Sequence, residues 1–369
     1  MNERRKIALV GGGTAGHITP NIALMGELKN RGYEIIYIGS SGGMEEEIME
    51  RHKVPFFGVT TDKLRRYFDL KNLKMPFNVV KGINEAKNIL KNEKVDIIFS
   101  KGGYVAVPIV IAAGSLKIPV ISHEADITPG LANKIAAPYS KVICCNFEEA
   151  VKKFGDKGFH TGSPIRKEIL TGDKNRAKEF LNFKNDKPII FVTGGSLGSQ
   201  YINDLIRKNL DKLLLQYNIV HQCGKGKIDK KLFDIEKQNS VEEISSVKNG
   251  YRQFETINEE LADIFAASDF VVSRAGANII FELLALKKPS LLIPLSKKAS
   301  RGDQILNARS FEKKGYAIVL TEEEEDRYPL RFFEKIEELN LRKDDMINKM
   351  NEAKESNAIK LICDTIDQY

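Results

Sequence analysis

One local pattern opens the chain and returns near its middle. Residues 6–10, an almost wholly apolar run, lead into Gly11-Gly12-Gly13-Thr14-Ala15-Gly16; residues 188–193 lead into Gly194-Gly195-Ser196-Leu197-Gly198. A strand that ends in a glycine loop and passes into helical periodicity begins a βαβ unit, since parallel neighbours need a crossover. Further strands are predicted at 35–38, 55–59, 96–99, 119–122 and 141–144 in the first half, and at 219–222, 270–273, 290–293 and 317–320 in the second. Their near-continuous apolar character suits strands covered on both faces. The fold class is therefore α/β, with two doubly wound parallel-sheet domains. The break between them is expected at 161–166, where Thr161-Gly162-Ser163-Pro164 interrupts regular structure. Residues 343–369 read as one long terminal helix, and the acidic run 322–326 as a solvated loop.

Composition narrows the function classes. Of 369 residues, 42% are hydrophobic and 29% charged, enough apolar material for two cores and too much for a disordered chain. The four cysteines include no CxxC pair, which excludes a disulfide scaffold and a cysteine zinc site and fits a reducing compartment. Only Ile7, Ala8, Leu9 and Val10 precede the first glycines as an apolar run, so no secretory leader is expected. The longest apolar stretch, 105–113, contains Pro108 and falls well short of the roughly 20 residues of a spanning helix. The net charge of +7 implies a basic surface without naming what it meets.

The first glycine loop fits GxGxxG between a strand and a helix, where free amides and the helix dipole favour an anion. A dinucleotide would also need an acid at the end of the second strand, and that strand ends Gly39-Ser40-Ser41. His17 follows the loop directly. In the first turn of a helix the dipole would keep its ring neutral and able to accept a proton. The Gly194–Gly198 stretch is a second candidate phosphate cradle. Ser100-Lys101-Gly102-Gly103-Tyr104 and His123-Glu124-Ala125-Asp126 also follow predicted strands, at the carboxyl ends where such sheets bind ligands. Position 127 is Ile, so His123-Glu124 does not extend to HExxH, and no metal is expected. Ser273-Arg274-Ala275-Gly276-Ala277-Asn278 opens another helix, with Glu282 placed to reach a ribose diol; Asp303 and Gln304 open a further one suited to a sugar.

Residues 63–91 mix Lys63, Arg65, Arg66, Lys71, Lys74, Lys81, Lys87 and Lys91 with Leu64, Tyr67, Phe68, Leu70, Leu73, Met75, Phe77, Val79 and Val80. Cations that meet anionic headgroups, with apolar side chains below them, suit a membrane interface; an amphipathic helix packing on the sheet is the plainer alternative for the later part.

Taken in order, Gly11-Gly12-Gly13-Thr14-Ala15-Gly16-His17, Lys101-Gly102-Gly103-Tyr104-Val105, His123-Glu124, Thr161-Gly162-Ser163-Pro164-Ile165-Arg166, Gly194-Gly195-Ser196-Leu197-Gly198-Ser199-Gln200 and Ser273-Arg274-Ala275-Gly276-Ala277 span nearly the whole chain. Together they resemble the MurG family of peptidoglycan N-acetylglucosaminyltransferases. That resemblance implies the GT-B fold, with two Rossmann-like domains facing across a cleft. It implies transfer from UDP-GlcNAc to a lipid-linked muramoyl-peptide acceptor, without a cofactor or nucleic acid, at the anionic cytoplasmic face of the cell membrane. Residues 1–163, completed by a helix at about 345–369, would take the acceptor and the membrane; residues 164–344 would take the donor.

By the same resemblance His17 or Glu124 would be the base. Thr14, Ala15, Gly16, Arg166, Gly195, Ser196, Gly198, Arg274, Gly276, Ala277, Glu282, Asp303 and Gln304 would serve the donor. Gly13, Gly102, Gly103, Tyr104 and Asp126 would serve the acceptor, and Arg65, Arg66, Tyr67, Phe68, Lys74 and Phe77 the membrane. The chain departs from the family pattern at Ala15, Ala125 and Asp126; at 126 a carboxylate replaces an amide and can only accept hydrogen bonds. A glycolipid synthase, a sugar-nucleotide epimerase of the same shape and a non-catalytic nucleotide-binding protein are the rival readings.

Overall fold

The structure, a computed structural model, describes residues 5–62, 75–195, 197–230, 250–297, 300–353 and 357–369. The chain divides into two compact units, Met1–Arg166 with Glu355–Tyr369, and Lys167–Lys354.

In the first unit the strands are β1 (Lys6–Val10), β2 (Glu34–Ser40), β3 (Phe56–Val59), β4 (Ile97–Ser100), β5 (Val120–Glu124), β6 (Val142–Cys145) and β7 (Gly158–His160). They form one parallel sheet in the order β3-β2-β1-β4-β5-β6-β7. The chain runs outward from β1 to β3, then returns to place β4 against the other side of β1. The loops after β1 and β4 therefore leave the sheet side by side, at its topological switch point. Alternation along β1 explains its unbroken apolar sequence. Ile7 and Leu9 pack with Leu24, Leu28, Phe99 and Ile121 on one face; Ala8 and Val10 pack with Ile36, Ile98, Ala112 and Ala113 on the other. Each fully buried Ile or Leu contributes about 1.5–3 kcal/mol.

The end of the chain belongs to this unit. Helix Ala358–Asp367 inserts Ile362, Cys363 and Ile366 into the first of those faces. Arg31 pairs with Asp364 at 2.8 Å and Asp367 at 2.5 Å, and the Tyr33 hydroxyl donates to Asp367 at 2.8 Å. Those polar contacts lie near the surface and are worth little, so the apolar anchor does most of the holding.

The second unit repeats the plan with β8 (Ile189–Thr193), β9 (Asn218–Gln222), β10 (Tyr251–Phe254), β11 (Phe270–Ser273), β12 (Ser290–Leu292) and β13 (Ile318–Val319), in the order β10-β9-β8-β11-β12-β13, again all parallel. Its switch point lies between β8 and β11.

Three expectations change. β7 and β10 escaped the sequence reading: both are short edge strands, and His160, Arg252 and Gln253 break the apolar run that marks the others. The terminal segment is two helices, Arg331–Asn351 and Ala358–Asp367, rather than one from 343 to 369. The acidic run is a helix, Glu322–Arg327, opened by a capping box in which Thr321 Oγ1 accepts from Glu324 N and Glu324 Oε2 accepts from Thr321 N. Glu325 is buried there and accepts from Phe332 N at 2.8 Å.

Candidate active site

In the first unit, the loop after β1 turns at Gly13, whose φ of +78° favours glycine. A single 3-10 turn, Ala15–His17, precedes helix Thr19–Asn30, so His17 sits before the α-helix and not in its first turn. Its ring lies against the loop after β4: a Cβ on Gly103 would stand 3.0 Å from His17 Cδ2 and 3.2 Å from Nε2. Nδ1 is sealed from solvent and makes no hydrogen bond. The ring's pKa falls to about 4, chiefly through burial and then through the Lys101 ammonium, against a smaller opposing pull from the Lys101 backbone. The neutral ring expected from the sequence is present, but desolvation and a neighbouring cation produce it in place of the helix dipole.

Lys101 is 1% exposed, and its Nζ has no hydrogen-bond partner. Burial pulls its pKa down to about 8, partly offset by the negative charges of Glu124 and Asp126. Glu124 is also buried, at the end of β5. One carboxylate oxygen accepts from Asp126 N at 3.1 Å; the other accepts from Gly130 N and Asn133 Nδ2, each at 2.9 Å. Burial raises its pKa and those three donors restrain the rise. Those three donors tie the group to the 125–133 segment. Beside it His123 is fully buried with neither ring nitrogen hydrogen-bonded, and burial, with Lys101 next, pushes its pKa well down.

Glu45 was not foreseen as part of this region. It belongs to helix Met44–Arg51, just past β2, and is fully buried. Its carboxylate accepts from Gly13 N at 3.3 Å and Ser40 N at 2.8 Å. Side chains at Gly12, Gly39 or Gly43 would collide with it, so those glycines exist in part to make room. An acid does therefore follow β2, as in dinucleotide sites, but it folds back onto the glycine loop and takes an amide that a phosphate would need. In the sequence it is one of three acids, Glu45, Glu46 and Glu47, just after Gly42-Gly43, and nothing there singles it out.

The remaining candidates of this unit are Tyr104, half-buried against Gly13, with Gly102 and Gly103 at φ +82° and +80°; Thr14, Ala15 and Gly16 at the turn into His17; Asp126, half-buried; and Arg166 at the unit's end. Phe77 lies on helix Met75–Asn92 and is 78% exposed. Arg65, Arg66, Tyr67, Phe68 and Lys74 lie outside the described residues.

In the second unit, the loop after β8 has Gly195 at φ +85° and Gly198 at +67°. Ser199 Oγ caps the following helix, Gln200–Lys208, by accepting from Ile202 N. A side chain on Gly198 would collide with the Cys223 carbonyl, whereas a Cβ on Gly195 meets nothing within 4 Å. Gly195 N donates to Thr193 Oγ1 at 3.1 Å and Gly198 N to the Gly195 carbonyl at 2.9 Å, and among the described residues no amide of this loop donates to a carboxylate. Ser196 lies outside them.

Across the switch point, Gly276 in extended conformation leads into helix Ala277–Ala285, which carries the half-buried Glu282. Arg274 is buried, with its guanidinium already engaged: it pairs with Glu322 at 2.6 Å, donates to the Ile293 and Pro294 carbonyls and stacks over Tyr201. Gln304 accepts from Leu295 N at 3.0 Å through Oε1, while its Nε2 lies 4.0 Å from where a Gly276 Cβ would be. Asp303 pairs with Arg301 at 2.8 Å. The loops after β8 and β11 thus gather Gly195, Gly198, Gly276 and Ala277 at neighbouring strand ends, with Gln304 close behind. Among the described residues, no three His, Cys, Asp or Glu side chains are grouped to hold a metal, and no helix is long and apolar enough to cross a membrane.

A protein of Clostridium botulinum strain Langeland, named UDP-N-acetylglucosamine–N-acetylmuramyl-(pentapeptide) pyrophosphoryl-undecaprenol N-acetylglucosamine transferase, is 54% identical over 367 residues, covering 99% of each chain. The protein of the same name from Clostridium perfringens strain SM101 is 50% identical over 99% of this chain and 98% of its own. Among solved structures, MurG of Acinetobacter baumannii aligns with a TM-score of 0.72 at 23% identity, covering 99% of this chain and 100% of that one; a UDP-GlcNAc 2-epimerase of Neisseria meningitidis aligns at 0.67 and 16%, covering 99% and 100%. At such identities these two establish the fold alone. The glycosyltransferase family 28 N-terminal domain matches residues 7–144 and the family 28 C-terminal domain residues 189–366, each containing one of the switch points described above. Both halves in order, with kinship at 54% identity over the full length, place the chain in glycosyltransferase family 28.

Proposed function

We propose that this chain transfers N-acetylglucosamine from UDP-N-acetylglucosamine to the muramoyl sugar of a lipid-linked muramoyl-pentapeptide, with inversion and release of UDP. The observation that carries this reading is the 54% identity, over 99% of both chains, to a protein named for that reaction. The acceptor hydroxyl oxygen attacks the anomeric carbon, the bond to UDP breaks with its electron pair on the leaving diphosphate, and the hydroxyl proton passes to a base.

His17 is the base in this reading. Its ring is neutral above about pH 4, and with Nδ1 sealed, Nε2 beside Gly103 is the nitrogen left for substrate. Glu124 holds its loop in place through three donors already in use. The glycine loop at 194–198, with Ser196 and Arg166, takes the donor's diphosphate, and these groups stabilise the charge that develops on it. Gly276 and Ala277 present a helix N-terminus, Glu282 takes the ribose diol, and Asp303 with Gln304 orients the sugar. Arg274, fixed by Glu322 and two carbonyls, orients the nucleotide from that held position. Gly13, Gly102, Gly103, Tyr104 and Asp126 face the acceptor, while Thr14, Ala15 and Gly16 carry His17. No cofactor enters. We place the protein at the cytoplasmic membrane face, where residues 63–74 and the exposed Phe77 and Val80 would meet anionic headgroups.

Incubation with radiolabelled UDP-N-acetylglucosamine and a short-chain lipid-linked muramoyl-pentapeptide, followed by mass analysis, tests the reading. The expected product carries one added N-acetylhexosamine. Conversion of the sugar nucleotide without acceptor would mark an epimerase, and labelling of diacylglycerol in place of the muramoyl lipid would mark a different glycolipid synthase.

A further inference from the structure

We propose that Lys227 is a positioning residue for the donor: its ammonium holds carbonyls of the glycine loop after β8 and fixes the conformation in which that loop meets the diphosphate. The proposal rests on the reading of that loop as the diphosphate site. It starts from the loop's own backbone. A chain that turns tightly through glycines cannot pair all its C=O groups as a helix or strand would, so partners must come from elsewhere. Here they come from the end of β9 and the segment after it. Gln222 Nε2 donates to the Gly195 carbonyl at 3.4 Å, and Lys227 Nζ donates to the Leu197 carbonyl at 2.9 Å and the Gly198 carbonyl at 3.2 Å. One ammonium thus bridges two consecutive carbonyls of the loop.

Holding a long, half-buried lysine on two backbone oxygens costs rotamer freedom, a cost that falls when its stem is already fixed. That condition is met. Lys227 N donates to the Gly224 carbonyl at 3.0 Å, and the Lys227 carbonyl accepts from Arg207 at 2.6 Å. The same guanidinium nitrogen donates to Oε1 of the buried Gln253 at 3.0 Å, which also accepts from Asp229 N at 3.2 Å. Beneath the lysine the two loops interlock where no side chain fits. A Cβ on Gly198 would stand 1.9 Å from the Cys223 carbonyl oxygen, and one on Gly224 2.5 Å from the Leu197 carbonyl oxygen. Asn203 Nδ2 donates to that Cys223 carbonyl at 3.0 Å and holds it in place.

Two consequences follow for the donor. Without the ammonium, the Leu197 and Gly198 carbonyls lose a charged donor, and the loop relaxes toward other turns, so a diphosphate must first reorder it. The lysine's charge also complements the negative ends of those peptide dipoles, which leaves the loop's field more positive for an anion. Both effects act on phosphates, and neither acts on the uridine or on the acceptor.

The test uses the full-length protein as wild type, Lys227→Met, Lys227→Arg and Gly195→Asp. Three readouts are taken: NMR of 15N-glycine-labelled protein without substrates, calorimetric titration with UDP and with uridine, and KM for UDP-N-acetylglucosamine beside KM for the muramoyl-lipid acceptor. Lys227→Met should move the Gly195 and Gly198 amides before any ligand is added. It should weaken UDP about 3–10-fold and raise the sugar-nucleotide KM in step, with uridine affinity and acceptor KM unchanged. Lys227→Arg, which keeps the charge and the donors, should return UDP affinity to within about twofold of wild type. Wild-type UDP affinity in the Met variant overturns the proposal. So does an equal loss of uridine affinity, which would make Lys227 a general support of the unit. Weakened UDP with unmoved glycine amides also overturns it, since Lys227 would then be a phosphate ligand and not a support of the loop. Gly195→Asp separates the two readings: if it leaves UDP binding intact, the loop is not the diphosphate site and the proposal falls with that reading, whereas UDP weakened by Gly195→Asp but not by Lys227→Met overturns the role of Lys227 alone.

Discussion

The loop after β1 and the loop after β8 leave the first strand of their sheets at equivalent places, and each turns through a glycine in the left-handed region, Gly13 at φ +78° and Gly195 at +85°. What stands opposite those glycines differs. Gly13 is crowded by the Tyr104 ring, and its amide is held by the buried Glu45 carboxylate. Gly195 faces open space, and among the described residues its amide bonds the neutral Thr193 hydroxyl, while the Gly198 amide bonds the Gly195 carbonyl. A glycine loop is therefore not in itself a phosphate site. Glycine grants backbone approach; a carboxylate or its absence decides what may approach. The first loop carries its own anion, the Glu45 carboxylate; in the proposed reading it places His17, and the second loop takes the donor's diphosphate.

The comparison breaks most sharply at His17. His17→Ala should lower turnover about 10²–10⁴-fold, the usual cost of losing a general base, with UDP affinity unchanged. Steady-state rates beside calorimetric titration of UDP check it, and an equal loss of UDP affinity would mean that the first loop holds the nucleotide after all. Next in size is the transplant of the first loop's character onto the second. Gly195→Asp sets a carboxylate where the diphosphate belongs, and like charges so placed cost several kcal/mol, so UDP affinity should fall about 100-fold or more. The new Cβ has room, which leaves mainly the cost of a left-handed backbone, about 1–2 kcal/mol, to be read from urea unfolding. The smallest effect is expected at Glu45. Glu45→Ala deprives two backbone amides, Gly13 N and Ser40 N, of a charged acceptor, which should destabilise the protein by about 1.5–3 kcal/mol while UDP binding to the folded protein stays as it was.

Much of this was legible in the residues. The duplicated strand-and-loop opening revealed two doubly wound units, because central parallel strands must be apolar on both faces, and β1 and β11 fall where that pattern placed them. β7 and β10 left no such trace because His160, Arg252 and Gln253 interrupt their apolar runs, whereas the edge strands β3 and β13 kept theirs. His17 was visible from its position after the loop. The cause of its neutrality was not, since burial and the Lys101 charge depend on how the loops after β1 and β4 converge. Glu45 shows the same limit: at the head of Met44–Arg51 it reads as one more acid in a polar helix, and only tertiary packing turns it onto Gly13. Arg274 shows the same limit, since its ion-pair partner Glu322 was expected on a solvated loop and only the fold brings the two together.

The central claim, that the second glycine loop and not the first receives the nucleotide's diphosphate, can be read at the amides themselves. Protein labelled with 15N-glycine is titrated with UDP and followed by NMR. The account predicts large shifts at Gly194, Gly195 and Gly198, with Gly11, Gly12 and Gly13 unmoved because Glu45 already occupies that loop. Shifts at Gly11–Gly13 of comparable size, or still amides at Gly195 and Gly198 under saturating UDP, would contradict it.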